Sequence, residues 1–165
     1  MWTIIKIDRK KTSLLKEDFS KKLGKEFILY NPKILLQKYK NNKLCNKEFN
    51  LLGDYFLCFH KDFMRLETLN KLKFCRGLKY FLNGFHHAQK EIENFVINCK
   101  KNENKNGYLT QNFYQLKLNG CYKFTSGPFV EKIFKIINFQ KNKIDIYIGN
   151  VKTSIKKKGL LFKPI

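Results

Sequence analysis

Acidic residues are scarce. Asp and Glu number 13 against 34 Lys and Arg, which leaves a formal net charge of +21 in 165 residues. So large an excess excludes a neutral, self-contained surface and implies a partner rich in negative charge, unless it is the compositional habit of an AT-rich genome written in lysine, asparagine and isoleucine. Arginine is sparse and no recognition element stands out, which argues against sequence-specific base reading. Close cysteine pairs are also missing. Cys45, Cys58, Cys75, Cys99 and Cys121 are odd in number and scattered, so they read as small core hydrophobes in a reducing cytosol, not as disulfides or a zinc site. His86 and His87 are adjacent and His60 stands alone, so the histidines supply no metal site. No apolar run approaches the length of a membrane span, and the apolar start Trp2–Ile7 is ended by Asp8–Lys11, so neither a membrane segment nor a secretory leader is expected.

Chemistry-bearing patterns are equally thin. There is no glycine-rich phosphate loop and no nucleophile elbow. Glu91 and Glu93 stand two apart and do not share a helix face, and Asp8, Asp54 and Asp62 have no ligand spacing. His86–His87 followed by Glu91 reads as exposed helix-start residues in preference to an acid/base cluster. The expectation is a protein without catalytic residues, cofactor or metal.

An apolar fraction of 43% is enough for a core, in one ordinary domain or two small ones. Trp2–Ile7 reads as an opening strand. Thr12 or Ser13 starts a helix that places Leu14, Leu15, Phe19 and Leu23 on one side and ends at Gly24. From Phe27 to Tyr39 the pattern is strand-like with a bend at Pro32, and Lys38–Lys43, with Asn41–Asn42, reads as a polar hairpin tip. Phe49–Leu52 and Tyr55–Phe59 follow as strands around a Gly53–Asp54 bend, and both arms are expected to feed one antiparallel sheet. In Phe63–Phe74 the spacing of Phe63, Leu66, Leu69 and either Leu72 or Lys73 predicts a short amphipathic helix. Gly77–Leu82 predicts a strand, and Ile92, Phe95, Val96 and Cys99 predict the buried stripe of a further helix. The polar run from Lys100 to Asn106 marks a boundary, giving expected domains at 1–103 and 117–165 joined by a linker at 104–116. In the last part, alternating segments at Tyr122–Phe124, Ile133–Phe139, Ile144–Ile148, Val151–Ile155 and Leu160–Ile165 predict about five short strands closing into a small barrel.

Trp2-Thr-Ile-Ile-Lys, Tyr30-Asn31-Pro32, Leu51-Leu52-Gly53-Asp54-Tyr55-Phe56-Leu57 and Gly77-Leu78-Lys79-Tyr80-Phe81-Leu82 fall in the order and spacing of the N-terminal motifs of the NusG transcription elongation factors. Gly120 to Ile136, centred on Gly127-Pro128-Phe129, resembles the start of that family's KOW motif. The chain resembles the family over nearly its whole length. It departs at Gly53–Asp54, where the family has Pro-Gly, and at Glu131 and Phe134, where it usually has glycine; Phe134 is expected to alter the first turn of the barrel.

The resemblance implies an α+β fold, with an NGN-like α/β sandwich built on an antiparallel sheet and linked to a small SH3-like KOW β-barrel. It implies a non-enzymatic transcription elongation or antitermination factor in a cytoplasmic, nucleoid-associated transcription complex. Tyr55, Phe56 and Phe81 would meet the clamp helices of RNA polymerase, while Lys38, Lys40, Lys43 and Lys47 face a DNA or RNA backbone. Phe129, Lys156, Lys157 and Lys158 would take a second partner, a ribosomal protein or a termination factor. Tyr55 and Phe129 read equally as core residues, and the triple lysine as protection against edge aggregation. The competing reading is a ribosome-associated or RNA-binding KOW protein that never touches polymerase.

Overall fold

The computed structural model describes residues 1–157 and 160–165. They group into two compact units that interleave in sequence, Met1–Pro32 with Asn50–Asn98, and Lys33–Phe49 with Cys99–Ile165.

The first unit is built on a four-stranded antiparallel sheet. Its strands are β1 (Trp2–Ile7), β2 (Ile28–Tyr30), β5 (Tyr55–Phe59) and β6 (Leu78–Phe81), in the order β2-β5-β1-β6. Helix α1 (Thr12–Leu23) follows β1, and Leu15 and Phe19 are its fully buried residues, one turn apart on one face. Gly24, at φ 79°, ends the helix as its spacing predicts. The second expected helix begins later than its apolar spacing suggests. Lys61–Met64 forms a 3-10 turn and only Leu66–Leu72 is α-helical (α2), so Leu66 is left 72% exposed while Phe63, Leu69 and Leu72 are buried. Helix α3 (Gln89–Lys101) presents Ile92, Val96 and Cys99 inward. Its first residue also completes the sheet: where β6 has ended, the Gln89 side-chain amide accepts from the Trp2 N–H at 2.9 Å and donates to the Trp2 carbonyl at 2.7 Å, so the backbone of β1 is not left unpaired there.

Two backbone ties hold α1 and β6 in place. Gly77 has φ 86°, and a Cβ there would stand 2.8 Å from the Lys11 carbonyl oxygen, so only glycine fits this close approach. Beside it, Arg76 donates its backbone N–H to Asp18 at 2.8 Å and its guanidinium to the same carboxylate at 2.6 Å. These bonds hold the Asp18 carboxyl down at about 2 from 3.8.

The second unit contains the hairpin β3 (Lys33–Lys40) and β4 (Lys43–Asn50), which forms a sheet of its own. The expectation that these strands join the sheet of β5 is therefore corrected. The break comes at Pro32, which has no N–H for a ladder. It comes again at the Asn50–Asp54 turn, where Gly53 has φ 61° and its N–H bonds back to the Asn50 carbonyl at 3.2 Å. Gln37 attaches the hairpin to the C-terminal part: its N–H donates to the Thr125 carbonyl at 2.7 Å and its side-chain oxygen accepts from the Gly127 N–H at 2.8 Å. Residues 104–116, expected as a linker, contain a 3-10 turn at Gln111–Phe113 and a buried Leu109.

The C-terminal strands are β7 (Cys121–Phe124), β8 (Ile133–Phe139), β9 (Lys143–Ile148), β10 (Val151–Lys156) and β11 (Phe162–Pro164), all antiparallel in the order β10-β9-β8-β7-β11. The expected closed barrel is corrected here: among the described residues no pairing joins β10 to β11, and the sheet keeps two edges. The alternation places Tyr122, Phe124, Phe134, Ile136, Ile144, Ile146, Ile155 and Phe162 in one buried cluster, each side chain contributing on the order of 1.5–3 kcal/mol if fully withdrawn from water. Phe134 sits at its centre, 4.3 Å from the Phe124 ring and 5.2 Å from that of Phe162. It is a core residue within β8, not an intruder in a turn. The turn falls three residues earlier, where Glu131 takes φ 72°.

Glu131 pays the cost of that left-handed backbone with no compensating burial, since it is exposed. Glu131→Gly is expected to stabilise the C-terminal sheet by about 1 kcal/mol, read as a higher denaturant midpoint. The Asp18 clamp gives a pH signature. Its carboxyl is depressed in the folded state, so its contribution is full above pH 3.8 and is lost as pH falls toward 2. In thermal melts taken from about pH 5 to about pH 2, Asp18→Asn should melt lower than the parent at the upper end and converge with it at the lower.

Candidate partner-binding surfaces

In the first unit the register of β1 with β5 decides what faces solvent. Trp2 lies opposite Phe59, Ile4 opposite Leu57 and Lys6 opposite Tyr55, so these six side chains share one face. Trp2 and Leu57 are 9% and 2% exposed, whereas the far end of the same face opens to water. There Tyr80 of β6 lies opposite Lys6 and is 44% exposed. The Lys6 ammonium stands 5.2 Å from the Tyr55 ring centre and 5.7 Å from that of Tyr80, and the two phenol oxygens are 3.0 Å apart. Three strands thus deliver a connected cluster of two aromatic rings and one cation. The hydrogen bond with Tyr80, aided by the Lys6 charge, holds the Tyr55 phenol below the usual tyrosine range, and the same bond pushes Tyr80 above it. Lys6 is raised by Tyr55 and then by Tyr80. The cluster thus sets one ammonium against two ring faces.

The three aromatics singled out from the sequence do not form one patch. Tyr55 is on this open face. Phe56 lies opposite Ile5, and so does Phe81, which places both on the other side of the sheet. There they pack against the core, and Phe81 meets the Phe63 ring at 6.2 Å. Tyr80 and Lys6 are the members that sequence reasoning did not name.

The hairpin lysines do come together. Asn41 and Asn42, at φ 50° and 59°, make a two-residue turn that sets Lys40 opposite Lys43, and strand alternation then places Lys38, Lys40, Lys43 and Lys47 on one face. All four are exposed. Lys38 and Lys47 converge on the Phe49 ring, at 5.6 and 5.2 Å from its centre, so the face combines a patch of cations with one aromatic. The acid on this hairpin is occupied. Glu48 pairs with Lys33 at 2.9 Å and accepts from the Tyr108 hydroxyl at 3.0 Å, and these partners lower its pKa.

The residues assigned to a second partner are split between opposite ends of the C-terminal sheet. Phe129 belongs to the loop between β7 and β8. It is 40% exposed with its ring 5.6 Å from that of Phe124, so it is both a lid on the core and a surface group. Lys156 pairs with Lys143 at the other end of the strands. Lys157 lies beside it, its ammonium 5.8 Å from the Phe139 ring centre. A hollow of about 580 Å³ lined by Asn112, Lys141, Asn142, Lys143, Lys156 and Lys157 opens there. Lys158 lies outside the described residues. His86 and His87 are exposed in the turn before α3, with the His86 ring stacked 4.0 Å from that of Phe85. Among the described residues no group of three or more His, Cys, Asp or Glu is placed to hold a metal ion.

No family model matches the sequence, and no curated protein matches it. Among solved structures, the chain is similar to one from the MjSpt4:Spt5 complex in conformation B. The identity there is 12% and the TM-score 0.32, covering 100% of this chain and 98% of that one. It is also similar to a structure of domain interaction in Thermotoga maritima NusG, at 15% identity and a TM-score of 0.33, covering 97% of this chain and 92% of that one.

Proposed function

We propose that this protein is a non-enzymatic transcription elongation or antitermination factor. Its first unit takes the clamp helices of RNA polymerase, its lysine-rich hairpin lies along a DNA or RNA backbone, and its C-terminal sheet takes a second partner such as a ribosomal protein or a termination factor. The observation that carries the polymerase contact is the exposed Tyr55–Tyr80–Lys6 cluster. Tyr55 and Tyr80 belong to two of the segments by which the sequence resembles the NusG factors, and they leave the core at the same end of one sheet face. Paired aromatics on a rigid strand offer contact area at small entropic cost, which is what a protein-binding hot spot requires. Lysines framing an aromatic ring suit phosphate positioning without base reading.

The competing reading, an RNA-binding or ribosome-associated protein without polymerase contact, is favoured by the four lysines on the hairpin face that form no ion pair with a carboxylate among the described residues, and the two readings separate experimentally. In the full chain, Tyr55→Ala with Tyr80→Ala should lower retention of core RNA polymerase by about tenfold or more, while binding to a lysine-dependent RNA probe stays at the parent level. Unchanged polymerase retention, or none by the parent chain, would favour the competing reading.

A further inference from the structure

The core of the C-terminal sheet uses one face; the register fixes what the other face carries. Cys121 lies opposite Lys135, Lys135 opposite Tyr147, and Tyr147 opposite Lys152. These four residues form a straight row across β7, β8, β9 and β10, and all are exposed. Tyr147, 41% exposed, stands at the middle of the row with a lysine on either side. Among the described residues no ring and no ammonium is stacked on it. Two rows further along the same face, Lys143 lies directly opposite Lys156. Like charges in that position lower the stability of a sheet.

Among the described residues only Asp145, whose carboxyl is lowered first by its hydrogen bonds and last by the Lys152 charge, offsets part of this charge. None of Lys135, Lys143, Lys152 and Lys156 forms an ion pair with a carboxylate among the described residues. The one acid on the face is Asp145, and its carboxylate is already taken. It accepts from the Ser154 hydroxyl at 2.5 Å, from the Gln140 amide at 3.0 Å and from the Asn138 amide at 3.2 Å. The outcome is an exposed antiparallel face with a central aromatic ring, cations around it and a single carboxylate, Asp145, held by three neutral donors.

We propose that this solvent-facing side of the C-terminal sheet is a platform for single-stranded nucleic acid, with a base stacked on Tyr147 and the phosphodiester chain running between Lys135, Lys152 and the Lys143–Lys156 pair. An unpaired strand is specified because a stacking ring at the centre of an exposed sheet face has use only for a base whose face is free. RNA and DNA share the backbone and the base faces that such a surface recognises. The inference rests on the nucleic-acid part of the proposed function and is independent of the polymerase contact. It adds a site distinct from the hairpin lysines.

Fluorescence anisotropy with the full chain and labelled oligo-U, oligo-dT and duplex probes tests it. Tyr147→Ala should weaken oligo-U or oligo-dT binding by about tenfold, the scale of one lost base–aromatic stack, and Tyr147→Phe should restore it. Lys135→Gln with Lys152→Gln should reduce the slope of log affinity against log salt by about 1.4, at about 0.7 per phosphate for a single strand, and the corresponding arginine variants should keep the parent slope. These side chains face solvent, so thermal midpoints should stay at the parent value. If oligo-U binds and oligo-dT does not, the strand is RNA; the reverse result makes it DNA, and either supports the platform. Parent-level binding by the Tyr147 and lysine variants, alongside loss of binding when Lys38, Lys40, Lys43 and Lys47 are changed to glutamine, would overturn the platform and leave the hairpin site standing. Equal affinity for duplex would also overturn it. A parent chain that binds no nucleic acid would overturn both.

Discussion

Everything functional in this protein depends on the two-residue period of a β-strand being held in register. A slip of one residue would carry Lys6 and Tyr55 into the core and bring Ile5 and Phe56 out to solvent. The same slip in the C-terminal sheet would exchange Tyr147 with Ile146. Register is enforced from the buried side. Ile5, Ile7 and Cys58 in one sheet, and Ile136, Ile144 and Ile146 in the other, are completely withdrawn from water, so a displaced strand would expose several large side chains at once. The open faces are free to carry lysine and tyrosine because they take little part in that enforcement.

Much of this was legible in the sequence where periodicity is clean. The opening strand, α1 with its glycine stop, the Asn41–Asn42 turn and the alternating strands after residue 120 all follow from local pattern. Where the ladder is irregular the pattern misleads. Leu78 lies opposite Ile7 and Phe81 opposite Ile5, with the register shifting between Lys6 and Ile7. That bulge turns Leu78 and Phe81 inward although they are three apart, and leaves Lys79 and Tyr80 exposed between them. A strand that repeats its apolar residues at an interval of three is the signal that could have identified Tyr80 in place of Phe81. Pairing of distant segments was not legible at all. The hydrogen bonds of Gln37 with Thr125 and Gly127, which fasten the hairpin to residues some ninety positions away, leave no trace in a local window.

The scarce acids explain how so positive a chain holds together. Asp18 clamps Arg76, Asp54 pairs with Arg9 at 2.6 Å, Glu26 with Lys61 at 3.0 Å and Glu48 with Lys33. Asp145 gathers three neutral donors from the turn and strands around it. Each of these carboxylates serves a structural contact. Exposed ion pairs of this kind are weak individually, so their main consequence is one of placement: Asp18, Asp54 and Glu26 draw negative charge to the joints between elements, while Glu48 and Asp145 are the acids left on strands.

That division gives the two units different chemistry. On the open face of the first unit a single ammonium is held against two rings, so the protein contact proposed there would be governed by apolar contact and respond weakly to salt. On the hairpin face Lys38, Lys40, Lys43 and Lys47, and on the outer face of the C-terminal sheet Lys135, Lys143 and Lys156, form no ion pair among the described residues, so the nucleic-acid contact proposed for them would proceed by release of counterions and weaken steeply as salt rises. If both proposed contacts form, the chain would remain attached to a protein through the first while its hold on a nucleic-acid strand is adjusted through the second. Neither contact requires a base sequence to be read, because lysine ammonium groups and stacked rings position a strand without distinguishing its letters.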